Sequence, residues 1–236
     1  MLFCRSFIFY LGLFVITLVM ASIFIIAFPI ISDQARNRIA SNWCSSVLMW
    51  LEFSCRVRYH ISGHENLPSR SAVYLSNHQS TWETILLYKL AAPVSPILKK
   101  ELLQIPFWGW SMRLLDPIAI DRSKPREAGR SMLTLGVEKL KHGRSIIIFP
   151  EGSRSPAGTV NKFSRGGAKL AMAAQALIVP IAHNAGNYWP PRKFIKQPGL
   201  ISVKIGHPID TSGRSASALT NEVECWVRNN ATSRNS

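Results

Sequence analysis

Acidic residues are scarce in this chain: 13 Asp and Glu stand against 28 Lys and Arg among 236 residues, for a formal net charge of +15. Charge of either sign is thin, at 17% of residues, whereas 47% are apolar. An apolar content of that size supports a packed core and excludes a disordered basic tail protein. The excess of one sign points to an anionic partner, which can be nucleic acid, an anionic membrane surface or a phosphorylated substrate. Nucleic acid is excluded as the expected partner, because the basic residues do not cluster with aromatics in a recognisable module. Cysteine is also sparse, and Cys4, Cys44, Cys55 and Cys225 form no CxxC pair. Neither a disulfide framework nor a zinc site is implied, and a reducing compartment is expected. His60 and His64 are four apart but have no third ligand nearby, so no metal is expected. Internal repeats are absent. At 26.4 kDa the chain has room for one ordinary domain and a small extra segment.

Charge vanishes altogether from Phe7 to Ile31, a run of 25 residues interrupted only by Thr17 and Ser22 as polar side chains. A bilayer core roughly 30 Å thick needs about 20 helical residues to cross it, so this run is long enough to span. A cleaved signal peptide needs a shorter apolar stretch and a small-residue cleavage site. This run instead ends in Pro29, Ile30 and Ile31, which predicts an uncleaved anchor. Arg5 alone precedes it and Arg36 and Arg38 follow at once, which by the positive-inside rule places the rest of the chain in the cytoplasm, at a bacterial inner membrane. A second stripe, Trp43, Val47, Trp50 and Leu51, has helical spacing and suits either a bilayer interface or a protein core. The expected layout is therefore a membrane anchor over 1–54, made of the apolar helix 7–31 and an interfacial amphipathic helix 39–54. A catalytic domain over 55–230 and a frayed tail over 231–236 follow. Spanning and in-plane insertion both remain open.

Beyond residue 54, short β-type runs alternate with helical ones. Strands are predicted at 56–61, 72–76, 96–99, 117–120, 145–149, 177–181 and 201–205, and helices at 81–90, from Pro125 to before Gly143, 167–176 and 215–227. Leu133, Val137 and Leu140 share one face of the helix that Pro125 opens. The expected fold class is α/β, a mixed sheet flanked by helices, with the apolar helical segment at its N-terminus.

Three polar clusters sit where apolar strands end. The first is Ser76-Asn77-His78-Gln79-Ser80-Thr81-Trp82-Glu83. His78 and Glu83, five apart, lie about 140° from each other inside one helix and cannot meet there. They meet only if His78 lies in the loop and Glu83 in the first helical turn, a geometry supplied by the capping box Ser80-x-x-Glu83. Glu83 then either merely caps the helix or holds one nitrogen of His78 so that the other acts as a general base. The second cluster, Phe149-Pro150-Glu151-Gly152-Ser153-Arg154-Ser155, leaves the carboxyl edge of a sheet, where α/β folds place ligands. Arg154 suits a phosphate, Gly152 permits close backbone approach and Glu151 can accept from a hydroxyl, although the same residues also make a good turn. The third, Ile120-Asp121-Arg122, reads as a phosphate contact or a surface ion pair, and Lys99-Lys100-Glu101 as a further contact or a solvated run.

Together these blocks resemble the membrane glycerolipid acyltransferases, and most closely the 1-acyl-glycerol-3-phosphate acyltransferases. NHQSTWE at 77–83, IDR at 120–122, FPEGSRS at 149–155 and IVPIA at 178–182 fall in the family's order, with LKKEL at 98–102 and IPFWGW at 105–110 between them. The resemblance implies acyl transfer from acyl-CoA or acyl-carrier protein to the sn-2 hydroxyl of lysophosphatidic acid, giving phosphatidic acid, with no cofactor beyond the acyl donor. It implies His78 as base and Glu83 as its partner, with Arg122, Glu151, Gly152, Arg154 and Lys100 around the glycerol phosphate. The family more often carries Asp than Glu at position 83, a departure that bears on which lysolipid is used. Another lysolipid, such as a lyso-ornithine lipid or a lysophospholipid, is the alternative acceptor. A non-catalytic binder of anionic lipid would share the charge and the anchor, but it has no need of a His–carboxylate pair.

Overall fold

The computed structural model describes residues 1–121 and 123–231. Arg122 and the tail residues 232–236 lie outside the described residues. The chain opens with a helical hairpin, α1 over Leu2–Ala27 and α2 over Asp33–Cys55. The apolar helix thus begins five residues before the uncharged run, because Arg5 at its end does not interrupt helical hydrogen bonding. It stops ahead of Pro29, which has no N–H to extend the helical ladder, although Phe28 before it still has helical backbone. Ser32 caps α2 by accepting from the Ala35 amide at 3.3 Å, so that helix starts at Asp33 rather than near 39. Arg36 braces the turn, with its guanidinium 3.9 Å from the Phe28 ring centre and a bond to the Phe28 carbonyl at 3.1 Å.

The stripe of α2 packs on protein through Val47 and Leu51, with Trp43 and Trp50 half-buried beside α1. Val47 and Leu51 are fully buried, and both indole N–H groups donate to α1, Trp43 to Thr17 Oγ1 at 3.1 Å and Trp50 to the Phe9 carbonyl at 3.1 Å. Half-burying these rings takes their N–H groups from water, and the neighbouring helix supplies a partner. The first half of α1 is pinned to the domain. Phe9 packs edge-on against Trp189 at 5.0 Å, and Ser6 Oγ accepts from the Lys196 amide at 2.9 Å. Outward, Phe3, Phe7, Leu11, Phe14, Val19 and Ile23 remain exposed, and α1 is the one described helix long and apolar enough to cross a membrane.

Among the described residues, seven strands follow, interleaved with helices: β1 Val57–Ser62, β2 Val73–Ser76, β3 Ile97–Lys99, β4 Ile118–Ile120, β5 Ile146–Ile148, β6 Ile178–His183 and β7 Gly199–Ile205. Five of them make a sheet in the order β1-β7-β6-β2-β5, mixed because β6 and β7 are antiparallel while its other neighbours are parallel. β3 and β4 form a parallel pair beside it, joined through a parallel bridge between Val94 and Ser145. The carboxyl ends of β2, β3, β4 and β5 therefore point the same way. Alternating side chains cover the two faces of the sheet. Tyr74, Ile147, Val179 and Ile181 pack with α2 and with α3, Trp82–Leu90. Val73, Leu75, Ile146, Ile148 and Ile178 pack with α5, α6 and α7, which span Pro125–Lys141, Gly166–Ala173 and Ala216–Asn230. A short helix, α4 over Trp108–Arg113, lies against α1 and had no helical signal in the sequence.

Candidate active site

The ends of β2 and β5 deliver their polar clusters to one edge of the five-stranded sheet. β2 stops at Ser76, and the chain crosses Asn77 to Thr81 before α3 begins at Trp82. His78 is thus in the loop and Glu83 in the first helical turn, and the two meet: His78 Nδ1 lies 2.8 Å from Glu83 Oε1. The same carboxylate oxygen accepts the amides of Gln79 at 2.9 Å and Ser80 at 2.8 Å. The capping box is half formed. Glu83 reaches back to the Ser80 amide as expected, but Ser80 Oγ accepts from Trp82 N at 3.1 Å and the N-cap position falls on Thr81.

Electrostatics follow from burial. Glu83 is fully buried, which by itself favours the neutral acid, yet its pKa is lowered, because the hydrogen bonds it accepts from His78 and the Ser80 amide favour the ionised form. An ionised carboxylate accepts hydrogen bonds and donates none, so the proton of the contact belongs to His78 Nδ1. A neutral His78 then keeps its lone pair on Nε2, and its side chain retains 13% exposure at the mouth of the site. Phe149 stacks on the imidazole with ring centres 4.2 Å apart and holds its plane.

The loop after β5 closes around His78. Glu151 accepts the His78 amide on Oε1 and the Asn161 amide on Oε2, both at 2.7 Å. Burial raises its pKa above the ordinary carboxyl value, against the lowering effect of those amides. Ser155, fully buried, donates to the His78 carbonyl from its amide at 2.7 Å and from its hydroxyl at 3.2 Å. Gly152 has φ of +75°, the left-handed region that glycine enters without steric cost. Arg154 is exposed, and its Nε donates to the Ser80 carbonyl at 3.0 Å. The structure therefore gathers His78, Glu83, Glu151, Gly152 and Arg154 in one place. Lys100 is exposed just past β3. Asp121, past β4, takes the Ser123 hydroxyl and amide at 2.6 and 2.9 Å, and these bonds lower its pKa, with Lys124 and Lys100 adding to the effect. Those bonds form an Asx-type turn. Arg122 lies outside the described residues.

Four contributors went unpredicted as individual residues: Asn77, Phe149, Ser155 and His183. The first three lie inside the sequence blocks already singled out. His183 follows the IVPIA block by one position, so extending that block by a single residue would have found it.

The fold and this constellation define an α/β protein whose polar groups converge at the carboxyl edge of its sheet, beside an apolar helical hairpin. The chain belongs to the acyltransferase family, since the family profile described as Acyltransferase matches residues 58–184, and it is an O-acyltransferase. A 1-acyl-sn-glycerol-3-phosphate acyltransferase of Pseudomonas aeruginosa is 43% identical over 227 residues, which cover 94% of this chain and 88% of that one. The alpha form of the enzyme of that name from Mus musculus is 28% identical over 193 residues, 80% of this chain and 68% of the relative. Among solved structures, the 1-acyl-sn-glycerophosphate acyltransferase PlsC from Thermotoga maritima superposes with a TM-score of 0.84 at 26% identity, covering 97% of this chain and 93% of that one.

Proposed function

We propose that this protein transfers the acyl group of a thioester donor, acyl-CoA or acyl-carrier protein, to the sn-2 hydroxyl of 1-acyl-glycerol-3-phosphate, with His78 as general base. The observation that carries the reading is the contact between His78 Nδ1 and the buried, ionised Glu83, which leaves a basic nitrogen at the mouth of the site. A secondary hydroxyl is a poor nucleophile at neutral pH, and a positioned base contributes about 10²–10⁴-fold. His78 Nε2 takes the hydroxyl proton as the oxygen attacks the thioester carbon. The resulting imidazolium is stabilised by Glu83. When the carbon–sulfur bond breaks, His78 returns that proton to the departing thiolate. Arg154 and Lys100, with Arg122, supply cationic donors for the acceptor's phosphate, and Glu151 and Gly152 shape the loop beneath it. The exposed apolar face of α1 keeps the site at the membrane, where both the acceptor and the product reside, with the domain on the cytoplasmic side and its positive charge favouring anionic lipid.

The test is purified protein in detergent or vesicles, given labelled acyl-CoA or acyl-carrier protein and a panel of lysolipids. Lysophosphatidic acid should be the preferred acceptor, and His78→Ala should lower kcat by on the order of 10²-fold or more with the fold intact. Preference for a different lysolipid would reassign the acceptor, and full activity of His78→Ala would remove the mechanism.

A further inference from the structure

The peptide groups on either side of His78 are held at both of their polar ends. For the His78–Gln79 peptide, the carbonyl takes Ser155 and the amide donates to Glu83. For the Asn77–His78 peptide, the amide donates to Glu151 at 2.7 Å and the carbonyl lies 2.9 Å from His183 Nε2. His183 closes β6, is 1% exposed, and is fully locked. Its Nδ1 accepts the Ala185 amide at 3.2 Å, so in the neutral ring the proton sits on Nε2 and points at the Asn77 carbonyl. The Asn77 side chain completes a reciprocal pair, with Nδ2 donating to the His183 carbonyl at 2.9 Å and Oδ1 accepting the His183 amide at 3.1 Å. Ser76 Oγ also reaches the Asn77 carbonyl, at 3.2 Å.

We infer that His183 is a positioning residue for the acyl transfer: through its Nε2–H it fixes the orientation of the Asn77–His78 peptide, and so the place of His78 relative to Glu83 and the hydroxyl. The inference rests on the reading of His78 as the base. A loop residue has two free backbone torsions on each side, and misplacing a reacting group by about 1 Å can cost 10²-fold in rate. His183 does this only as a neutral ring, because a protonated Nδ1 would face the Ala185 N–H. Burial lowers its pKa against the opposing pull of Glu83, which favours that neutral form.

Two substitutions separate the Nε2–H bond from mere packing. In His183→Gln the terminal amide nitrogen occupies the place of Nε2 and can still donate to Asn77. In His183→Asn the shorter side chain reaches only the Nδ1 position, keeping the Ala185 contact and losing the donor. His183→Asn should lose at least about tenfold in kcat. Its KM values should stay within roughly twofold for both substrates, and His183→Gln should stay within roughly threefold of the native enzyme. Added to His78→Ala, His183→Asn should cost nothing further, since there is no longer a base to place. Equal impairment of Gln and Asn, or a native kcat in a folded His183→Asn, would overturn the inference while leaving the base reading intact. An active His78→Ala would instead remove the base reading itself. If His183→Asn does not fold, imidazole ¹⁵N spectra of the native protein decide the matter. His183 should show the Nε2–H form unchanged from about pH 6 to 8, and an Nδ1–H or doubly protonated ring in that range would refute the assignment.

Discussion

At the scale of single residues, Glu83 concentrates three hydrogen bonds on one oxygen in a fully buried place, so its charge serves both structure and chemistry. Glu83→Gln keeps an acceptor but loses the ion, and activity should fall well below native, while Glu83→Asp should retain part because the charge survives one methylene shorter. An active Gln variant would make the carboxylate a helix cap alone. The linkage sign is that of a depressed acid. Its stabilisation is fully present above the ordinary carboxyl pKa near 4.5 and is lost as pH falls through the lower folded-state value. The stability deficit of Glu83→Gln, roughly 1–3 kcal/mol for hydrogen bonds that lose their charged acceptor, should therefore appear by denaturant titration at neutral pH and shrink in acid. Arg154→Lys keeps the charge but loses the planar fork and the Nε bond to Ser80. It should raise KM for lysophosphatidic acid more than KM for the acyl donor, and an equal effect on both would make Arg154 a loop brace.

At the scale of elements, α2 decides how the apolar hairpin is attached. Its inner stripe is sandwiched between α1 and the sheet, while Met49 and Phe53 face outward at 64% and 78% exposure. Leu51→Ala should cost about 2–5 kcal/mol of stability by creating a cavity. Phe53→Ala should stay within about 0.5 kcal/mol in detergent, because that side chain buries little in the protein. Comparable losses at the two positions would mean that α2 is packed the other way round. The turn end of the hairpin is tied in as well, through Arg144, whose guanidinium bonds Ser95 Oγ at 3.0 Å, the Val94 carbonyl at 2.9 Å and Asp33 Oδ2 at 3.2 Å. The hairpin is thus joined to the domain by buried aromatics at one end and a buried arginine at the other.

At the scale of the whole molecule, the two faces of the sheet are chemically unlike. α1 and α2 cover the side of Tyr74 and Ile147 with apolar surface beyond, whereas α5, α6 and the Arg165 cap of α6 on the other side expose Arg126, Arg130, Arg165 and Lys169. Apolar insertion is insensitive to salt, while attraction between exposed charges is screened beyond roughly 8 Å at physiological ionic strength. The protein should stay in the membrane through a high-salt wash and leave it in detergent. Replacing Phe7, Leu11 and Phe14 together by Asp should release folded protein to solution, since all three side chains are exposed. Release by salt alone would show that charge, not α1, holds it. Deleting residues 1–34 is a different experiment, because it would also uncover the buried α2 stripe and Trp189.

Much of this was legible along the chain because the relevant signals are local. The seven strands, the four main helices of the domain and the loop-then-helix placement of His78 and Glu83 follow from apolar periodicity, from turn residues and from the angle that five helical positions subtend. The sequence by itself also determined the apolar helix and the family, since a 25-residue uncharged run and four ordered blocks survive without coordinates. What only the tertiary structure decided concerns partners distant in sequence. Whether the Trp43–Leu51 stripe met lipid or protein depended on where α1 lay. That Glu151 would accept the His78 amide 73 residues away, and that His183 would reach Asn77 across 106, depended on β5 and β6 flanking β2. Strand order is set by the packing of both sheet faces together, and no local spacing in the chain encodes it.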